Sequence, residues 1–362
     1  MAEMDIKQYV FRKGAAKRIP VSGTFELTSR CNFRCKMCYV QMTPEEQQAI
    51  GRELTTDQWL DIAQKAVENG MIYLLLTGGE PLLRPDFIEL YTKLIRMGLV
   101  LTINTNGSLI TPQIAECFRK FPPERVNVTL YGASSCSYAD VCGNGSGYGK
   151  TLQGLRLLKQ AGVPITLNTT FIRDNLPDME ALVRFAKEEN IPIRTAAYLF
   201  PPVRNGHTEQ NGILLPEEMG RAAAAFDHMT LTMEQKQKRL DYIRGCLSRE
   251  IDEVQCAECD PASCMAGRGA FWISWDGMMY PCGMLSGVSA NVLREGFQAA
   301  WDEIVNAMKA MKLPAECTNC RYKKICPSCA AVFSCVSHAA NVLSPEICAR
   351  TKAYAEAFAN MD

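Results

Sequence analysis

The sequence predicts an α/β protein, a partial (β/α)6 barrel followed by a cysteine-rich extension. Three observations carry this. Between residues 24 and 198, short apolar runs of strand length alternate six times with helix-period segments, the order that builds a parallel sheet with helices outside. Each run empties into a loop rich in Gly, Asn, Thr or Cys, and a curled sheet of βα units, of TIM type, binds its ligands at these C-terminal strand ends. Lastly, eleven of the 17 cysteines lie after residue 245, where the alternation has ceased.

Taken in order, residues 1–21 are a polar, basic lead-in (Lys7, Arg12, Lys13, Lys17, Arg18). They are too short for a leader-peptide-binding domain. The core spans 22–212. Its first strand, Thr24–Thr28, runs into a loop carrying Cys31, Cys35 and Cys38, a C-x3-C-x2-C pattern without helical periodicity. A loop can curl so that such thiolates meet at one centre, and Cys thiolates are the usual ligands of iron–sulfur clusters. Three thiolates leave one iron of a four-iron cube open, much as a catalytic zinc site keeps a vacant position. Ordinary buried thiols are the competing reading, and zinc is another, although no fourth Cys or His lies nearby.

Thr55 or Thr56 caps the next helix, whose apolar face is Trp59, Ile62, Ala63, Ala66 and Val67, and Asn69–Gly70 ends it. The run Met71–Leu76 is apolar on both faces, as a buried parallel strand requires. It delivers Gly78, Gly79 and Glu80, where glycines let backbone approach a neighbour closely. Helix 86–97, strand Leu99–Asn104 and the turn at Asn106 follow, then helix 111–120 and strand Val126–Leu130 with Thr129. Helix 150–161 precedes strand Pro164–Phe171 with Asn168, and helix 178–189 precedes strand Ile193–Tyr198. The glycine-dense stretch Gly143–Gly149 reads as a mobile loop over the barrel mouth, and Phe200–Gly206 as a rigid exit loop. A helical bridge covers 213–255, with helices at 217–228 and 233–248.

The extension, 256–362, carries Cys264, Gly277 and Cys282 as C-x12-G-x4-C. After a helix at 296–311 come Cys317, Cys320, Cys326 and Cys329 as C-x2-C-x5-C-x2-C, then Cys335 and Cys348. Trp272–Cys282 reads as a hairpin turning at Asp276–Gly277. Spacing alone also permits a zinc ribbon in the 317–329 run.

The totals narrow the function. Lys plus Arg equals Asp plus Glu at 39 each, which predicts no general attraction to nucleic acid or anionic membrane. No apolar stretch approaches membrane-spanning length and the N-terminus lacks a signal-peptide pattern, so the expected location is cytoplasmic. Seventeen cysteines in a reducing compartment point to metal rather than disulfides, and three histidines (His207, His228, His338) exclude a histidine-rich zinc site.

On the Cys31–Cys38 loop and the Gly78–Glu80 turn, the chain resembles the radical S-adenosylmethionine (radical SAM) superfamily. The residue before the third cysteine is commonly aromatic in that family and here is Met37. The resemblance implies a [4Fe–4S] cluster on Cys31, Cys35 and Cys38 whose open iron is chelated by SAM. It also implies reductive cleavage to a 5′-deoxyadenosyl radical and hydrogen abstraction from a substrate. Gly78, Gly79, Glu80, Asn106, Thr129 and Asn168 would contact SAM. An arginine that assists the ribose in some relatives has no clear match; Cys142 stands about where it would be.

The C-terminal cysteines resemble the SPASM extension of that superfamily, with two auxiliary [4Fe–4S] clusters, and differ only in an x2 spacing where x3 is usual. Cys317, Cys320, Cys326 and Cys348 would hold the outer cluster. Cys264, Cys282, Cys329 and either Cys259 or Cys256 would hold the inner one, with Cys335 a rival to Cys329. Most SPASM-bearing relatives mature ribosomally made peptides, so the expected reaction is oxidation or crosslinking of a peptide or small protein, such as a thioether or carbon–carbon bond. A separate leader-binding protein and an electron donor such as flavodoxin or ferredoxin would be partners. A small-molecule substrate is the alternative. Sulfatase maturation is disfavoured, because those enzymes place an aspartate base where this chain has Gly283.

Overall fold

Six parallel strands follow one another across one sheet in chain order: β1 (Ser22–Glu26), β2 (Tyr73–Thr77), β3 (Val100–Thr105), β4 (Arg125–Thr129), β5 (Ile165–Thr169) and β6 (Ile193–Thr195). This is a computed structural model that describes residues 5–40, 42–196, 199, 203, 212–248 and 264–361. Every strand pairs in parallel with the next, as a chain of βα repeats requires. The partial barrel is thus present, and each strand lies within a few residues of its expected place.

The strands alternate in what they bury. Phe25, Leu74, Leu76, Leu101, Ile103, Val126, Val128 and Leu167 are nearly or fully buried and form the main core with the outer helices. The helix Thr56–Glu68 shows why the sequence specifies the layer. Thr55 and Gln58 form a reciprocal capping box at its start, satisfying two of its orphan N–H groups. Its buried face of Trp59, Ile62, Ala63 and Ala66 lies against β1, with the Trp59 ring tilted on that of Phe25 at a centroid distance of 4.7 Å.

The extension does not stand apart. Its strands β7 (Ala270–Ile273), β8 (Met278–Tyr280) and β9 (Ala290–Asn291) continue the same sheet beyond β1. β7 runs parallel to β1, and β8 and β9 return antiparallel. The expected hairpin is there, with Gly277 in its turn at φ +86°. Periodicity reveals a hairpin but not the edge on which it docks.

Two regions differ from expectation, whereas the bridge helices stand where the sequence puts them. The lead-in contains a helix, Ile6–Lys17, capped by Asp5. The stretch read as a mobile loop is a connection between two helices, Ser135–Cys142 and Gly147–Gln160, with Gly143 ending the first at φ +66°. It is packed: a Cβ on Gly147 would lie 2.5 Å from the Phe33 ring. The bridge helices Pro216–Thr230 and Met233–Leu247 pack against the last helix, Pro345–Ala359, so closely that a Cβ on Gly220 would lie 2.3 Å from the Arg350 carbonyl. Among the described residues no helix is long and apolar enough to cross a membrane. The exit loop 200–206, apart from Val203, lies outside the described residues, as do Cys256 and Cys259.

Candidate active site at the strand ends

The strands β2 to β6 each end on a threonine: Thr77, Thr105, Thr129, Thr169 and Thr195. All five line one cavity of about 630 Å³ at the C-terminal face of the sheet. Threonine suits that position because its branched carbon packs on the pleat while its hydroxyl meets a ligand. The cavity also receives Cys31, Cys35 and Cys38 from the loop after β1, Gly78 and Gly79 after β2, and Asn106 and Asn168. From the extension, Met284, Pro327, Cys329 and Val332 close one side. Nine of the sequence-derived site residues therefore face one space. Glu80 does not line it.

Backbone contacts fix the cysteine loop. Gly79 N–H donates to the Thr28 carbonyl at 2.7 Å and Glu80 N–H to that of Arg30 at 2.8 Å. A Cβ on Gly78 would lie 2.5 Å from the Thr28 oxygen, and one on Gly79 2.3 Å from that of Arg30. The two glycines thus let the turn after β2 lie directly on the chain leading to Cys31. Side chains brace the same segment. Arg30 makes a two-pronged ion pair with Glu53, whose carboxylate also accepts from the Thr28 hydroxyl. Arg84, buried, clamps Asp86 and donates to the Leu27 and Leu54 carbonyls.

Glu80 works one layer beneath. Fully buried, it accepts from Thr105 Oγ1 at 2.8 Å and Leu82 N–H at 3.1 Å through one oxygen, and from Asn106 N–H at 2.7 Å through the other. Burial pushes its carboxyl up to about 7 despite those three donors. The amide of Asn106, placed by that bond, donates to Asn32 Oδ1 at 2.8 Å and approaches Cys31 Sγ at 3.9 Å. Glu80 so links the ends of β2 and β3 to the cysteine loop.

The thiols suit a cationic cluster. Burial pushes Cys31 up to about 12, with Glu80, Cys35 and Cys38 adding negative charge around it. Cys35 is held well above the usual thiol range first by its hydrogen bond with Cys142 and then by burial. Three thiolates crowded together are unfavourable alone and favourable around a cation. Among the described residues no three Cys, His, Asp or Glu converge as ligands of one metal ion would.

In the extension, burial and then the neighbouring Cys320 and Cys326 raise both Cys317 and Cys348, and Cys348 adds to the rise at Cys317, which groups the four in space. Cys282 senses Cys264 and Cys329, and Cys335 senses Cys329 alone. Gly283, beside Cys282, lies under the Trp272 indole, where a Cβ would meet the ring at 2.9 Å. Trp272 in turn donates to the buried Glu26 at the end of β1 at 2.9 Å. An aspartate at 283 has no room.

Sequence reasoning missed several lining residues: Tyr131, Tyr138, Met284 and Arg194. Arg194 lies on β6, Tyr138 on the helix Ser135–Cys142, Tyr131 just after β4 and Met284 in the docked extension, and no local pattern announces that they meet.

Comparison with known proteins gives three findings of weight. Residues 25–186 match the model of the Radical SAM superfamily. An AdoMet-dependent heme synthase from Methanosarcina barkeri is 28% identical over 325 residues, spanning 85% of this chain and 90% of its own. A PqqA peptide cyclase from Bradyrhizobium diazoefficiens is 25% identical over 322 residues, 85% of this chain and 80% of its own. Among solved structures, Streptococcus suis SuiB bound to precursor peptide SuiA superposes with a TM-score of 0.66 at 18% identity, covering 89% of this chain and 76% of that one. At that identity the likeness is one of fold.

Proposed function

We propose that this chain, whose residues 25–186 match the Radical SAM superfamily and whose relatives include a PqqA peptide cyclase, is an oxidoreductase that cleaves SAM reductively and oxidises a peptide or small-protein substrate. The observation that carries this reading is the single cavity faced by Cys31, Cys35 and Cys38 from the barrel and by Cys329 from the extension. In this reading 22–212 is the catalytic barrel, 213–255 a bridge and 256–362 the auxiliary unit.

Cys31, Cys35 and Cys38 would hold a [4Fe–4S] cluster, which would supply the electron for reductive cleavage of SAM to methionine and a 5′-deoxyadenosyl radical. The chain's own groups do the positioning. Gly78 and Gly79 present backbone at the cavity wall, and Asn106, fixed by Glu80, offers its amide beside the cysteine loop. Thr129 and Asn168, paired across β4 and β5, provide hydroxyl and amide groups for the ribose and carboxylate. After hydrogen abstraction the substrate must lose an electron and a proton. Cys264, Cys282, Cys329 and Cys259 or Cys256, with the outer set Cys317, Cys320, Cys326 and Cys348, would hold the auxiliary clusters that accept the electron. Among the described lining residues no carboxylate, imidazole or lysine stands ready for the proton, and Gly283 leaves the sulfatase-maturase base position empty.

A small-molecule substrate is the second reading, favoured by the heme synthase relative that this chain covers almost end to end. One experiment tests the common core. Anaerobically purified protein is reduced with SAM present, and 5′-deoxyadenosine is measured for the parent and for the Cys31, Cys35 and Cys38 triple alanine variant. Equal yields would overturn the proposal. Mass spectrometry of candidate peptides and of small-molecule acceptors then separates the two substrate readings.

A further inference from the structure

The last helix, Pro345–Ala359, supplies Cys348 to the outer cysteine set and brings Arg350 and Thr351 to a second member of it, Cys326. Both side chains are buried, and neither lines the SAM cavity.

Thr351 Oγ1 lies 3.4 Å from Cys326 Sγ and 2.8 Å from the Ile347 carbonyl. A hydroxyl has one proton to give. A carbonyl inside a helix also receives an N–H from the next turn. A thiolate carries charge, and a charge-assisted hydrogen bond is about twice as strong as a neutral one. Once Cys326 is a thiolate, the Thr351 proton therefore turns to its sulfur.

Arg350 brings charge to the same place. Burial disfavours its charged form, and Cys326, ahead of Tyr354 and Asp227, favours it. Its Nε has no hydrogen-bond partner among the described residues. Asp227 is already held by Arg239 and by the Tyr354 hydroxyl. A guanidinium stays charged in a protein, and a buried cation is costly unless negative charge lies close. Around the rest of the outer set, Lys352 acts on Cys348 and Glu316 on Cys317, one cation against one anion.

The inner set is built differently. Burial raises Cys282, backbone N–H groups of Met284 and Leu285 act against the rise, and the charges reaching it, from Cys264 and Cys329, are negative. Burial raises Cys329 too, with Cys264 and Cys326 adding negative charge. No lysine or arginine is among the groups acting on either thiol. The two sets adjoin where Cys326 meets Cys329.

Resting on the proposed function, which puts a [4Fe–4S] cluster on Cys317, Cys320, Cys326 and Cys348, we propose that Thr351 and Arg350 are positioning residues that hold the outer cluster's reduction potential above the inner one's. Hydrogen bonds to the sulfurs and nearby charge set such potentials. A donated proton and a guanidinium both stabilise the more negative, reduced form. A single electron would then pass from the Cys329 set, left oxidised, to the Cys326 set, now reduced, with no proton moved and no bond broken.

The test reads potential rather than turnover. The full chain is reconstituted anaerobically, its iron is counted, and its cluster signals are followed by electron paramagnetic resonance through a redox titration. The signal lost in Cys326→Ala marks the outer cluster. In Thr351→Val that signal's midpoint should fall by about tenfold in the reduction equilibrium, about 59 mV for one electron, while the other signals stay. Thr351→Ser, which keeps the hydroxyl, should hold the parent value. Arg350→Met should lower the same midpoint, and Arg350→Lys, which keeps the charge, should lower it less. A parent with no outer signal overturns this inference together with the proposed outer cluster. Full iron with an unmoved midpoint in Thr351→Val overturns the inference alone. So does a parent whose outer midpoint lies below the inner one, or loss of the outer irons in Thr351→Val and Thr351→Ser alike, which would make the helix contact structural.

Discussion

Replacing Gly79 with alanine tests whether the glycine turn positions the cysteine loop. The new Cβ would sit 2.3 Å from the Arg30 carbonyl oxygen and 2.8 Å from that of Ser29, whereas real Cβ contacts essentially never fall under 3.0 Å. Both obstacles are backbone, so the two segments must part by at least 0.7 Å. Parting stretches the Gly79 to Thr28 and Glu80 to Arg30 hydrogen bonds, now 2.7 and 2.8 Å. Each is worth about 1 kcal/mol net and about 1–3 kcal/mol when a buried partner is left unmet, so the expected cost is about 2–4 kcal/mol. Cys31 follows Arg30 directly, and displacement of a reacting group by about 1 Å costs on the order of a hundredfold in rate. After anaerobic reconstitution, Gly79→Ala should fall from about twelve irons per chain toward about eight, the auxiliary clusters surviving. Its 5′-deoxyadenosine formation should drop about a hundredfold. Gly149→Ala is the control: nothing lies within 4 Å of its Cβ and it is helical, so it should be neutral or stabilise by up to about 1 kcal/mol. A Gly79→Ala protein with full iron and parental SAM cleavage would refute the reasoning.

Two further outcomes follow from the site. Burial raises the Glu80 carboxyl from 4.5 to about 7, so between those values the folded chain holds a proton that the unfolded chain has released. Its contribution to stability therefore declines as pH rises through that window, by about 3 kcal/mol in total. Urea unfolding across the window should show a flatter profile for Glu80→Gln, and identical slopes would count against it. Cys329 lies close enough to Cys282 to perturb it and lines the cavity, while Cys335 senses only Cys329. Cys329→Ala should lose about four irons and Cys335→Ala none; the reverse result would transfer the ligand role to Cys335.

The barrel was legible because its information is local. Apolar runs of strand length, Thr55 as a cap and Gly70 at a helix end are each dictated by neighbours within a turn or two. The cysteine loop and Gly78–Glu80 were legible for the same reason, as compact motifs at strand ends. The role of Glu80 was not. Its position in sequence suggests a ligand contact, but only the approach of Thr105 and Asn106 from β3 shows a buried carboxyl tying two strand ends together.

Sequence alone settled the repeating βα order and the three-thiol loop, because periodicity and spacing act over short stretches of chain. Tertiary structure decided the rest: that β7 docks in parallel beside β1, that Cys329 shares a cavity with Cys31, and that Arg194 stands in line with Asn168 and Thr129. Those relations join residues on separate elements of the chain, and they arise only when buried surfaces and backbone hydrogen bonds select one edge and one register from many.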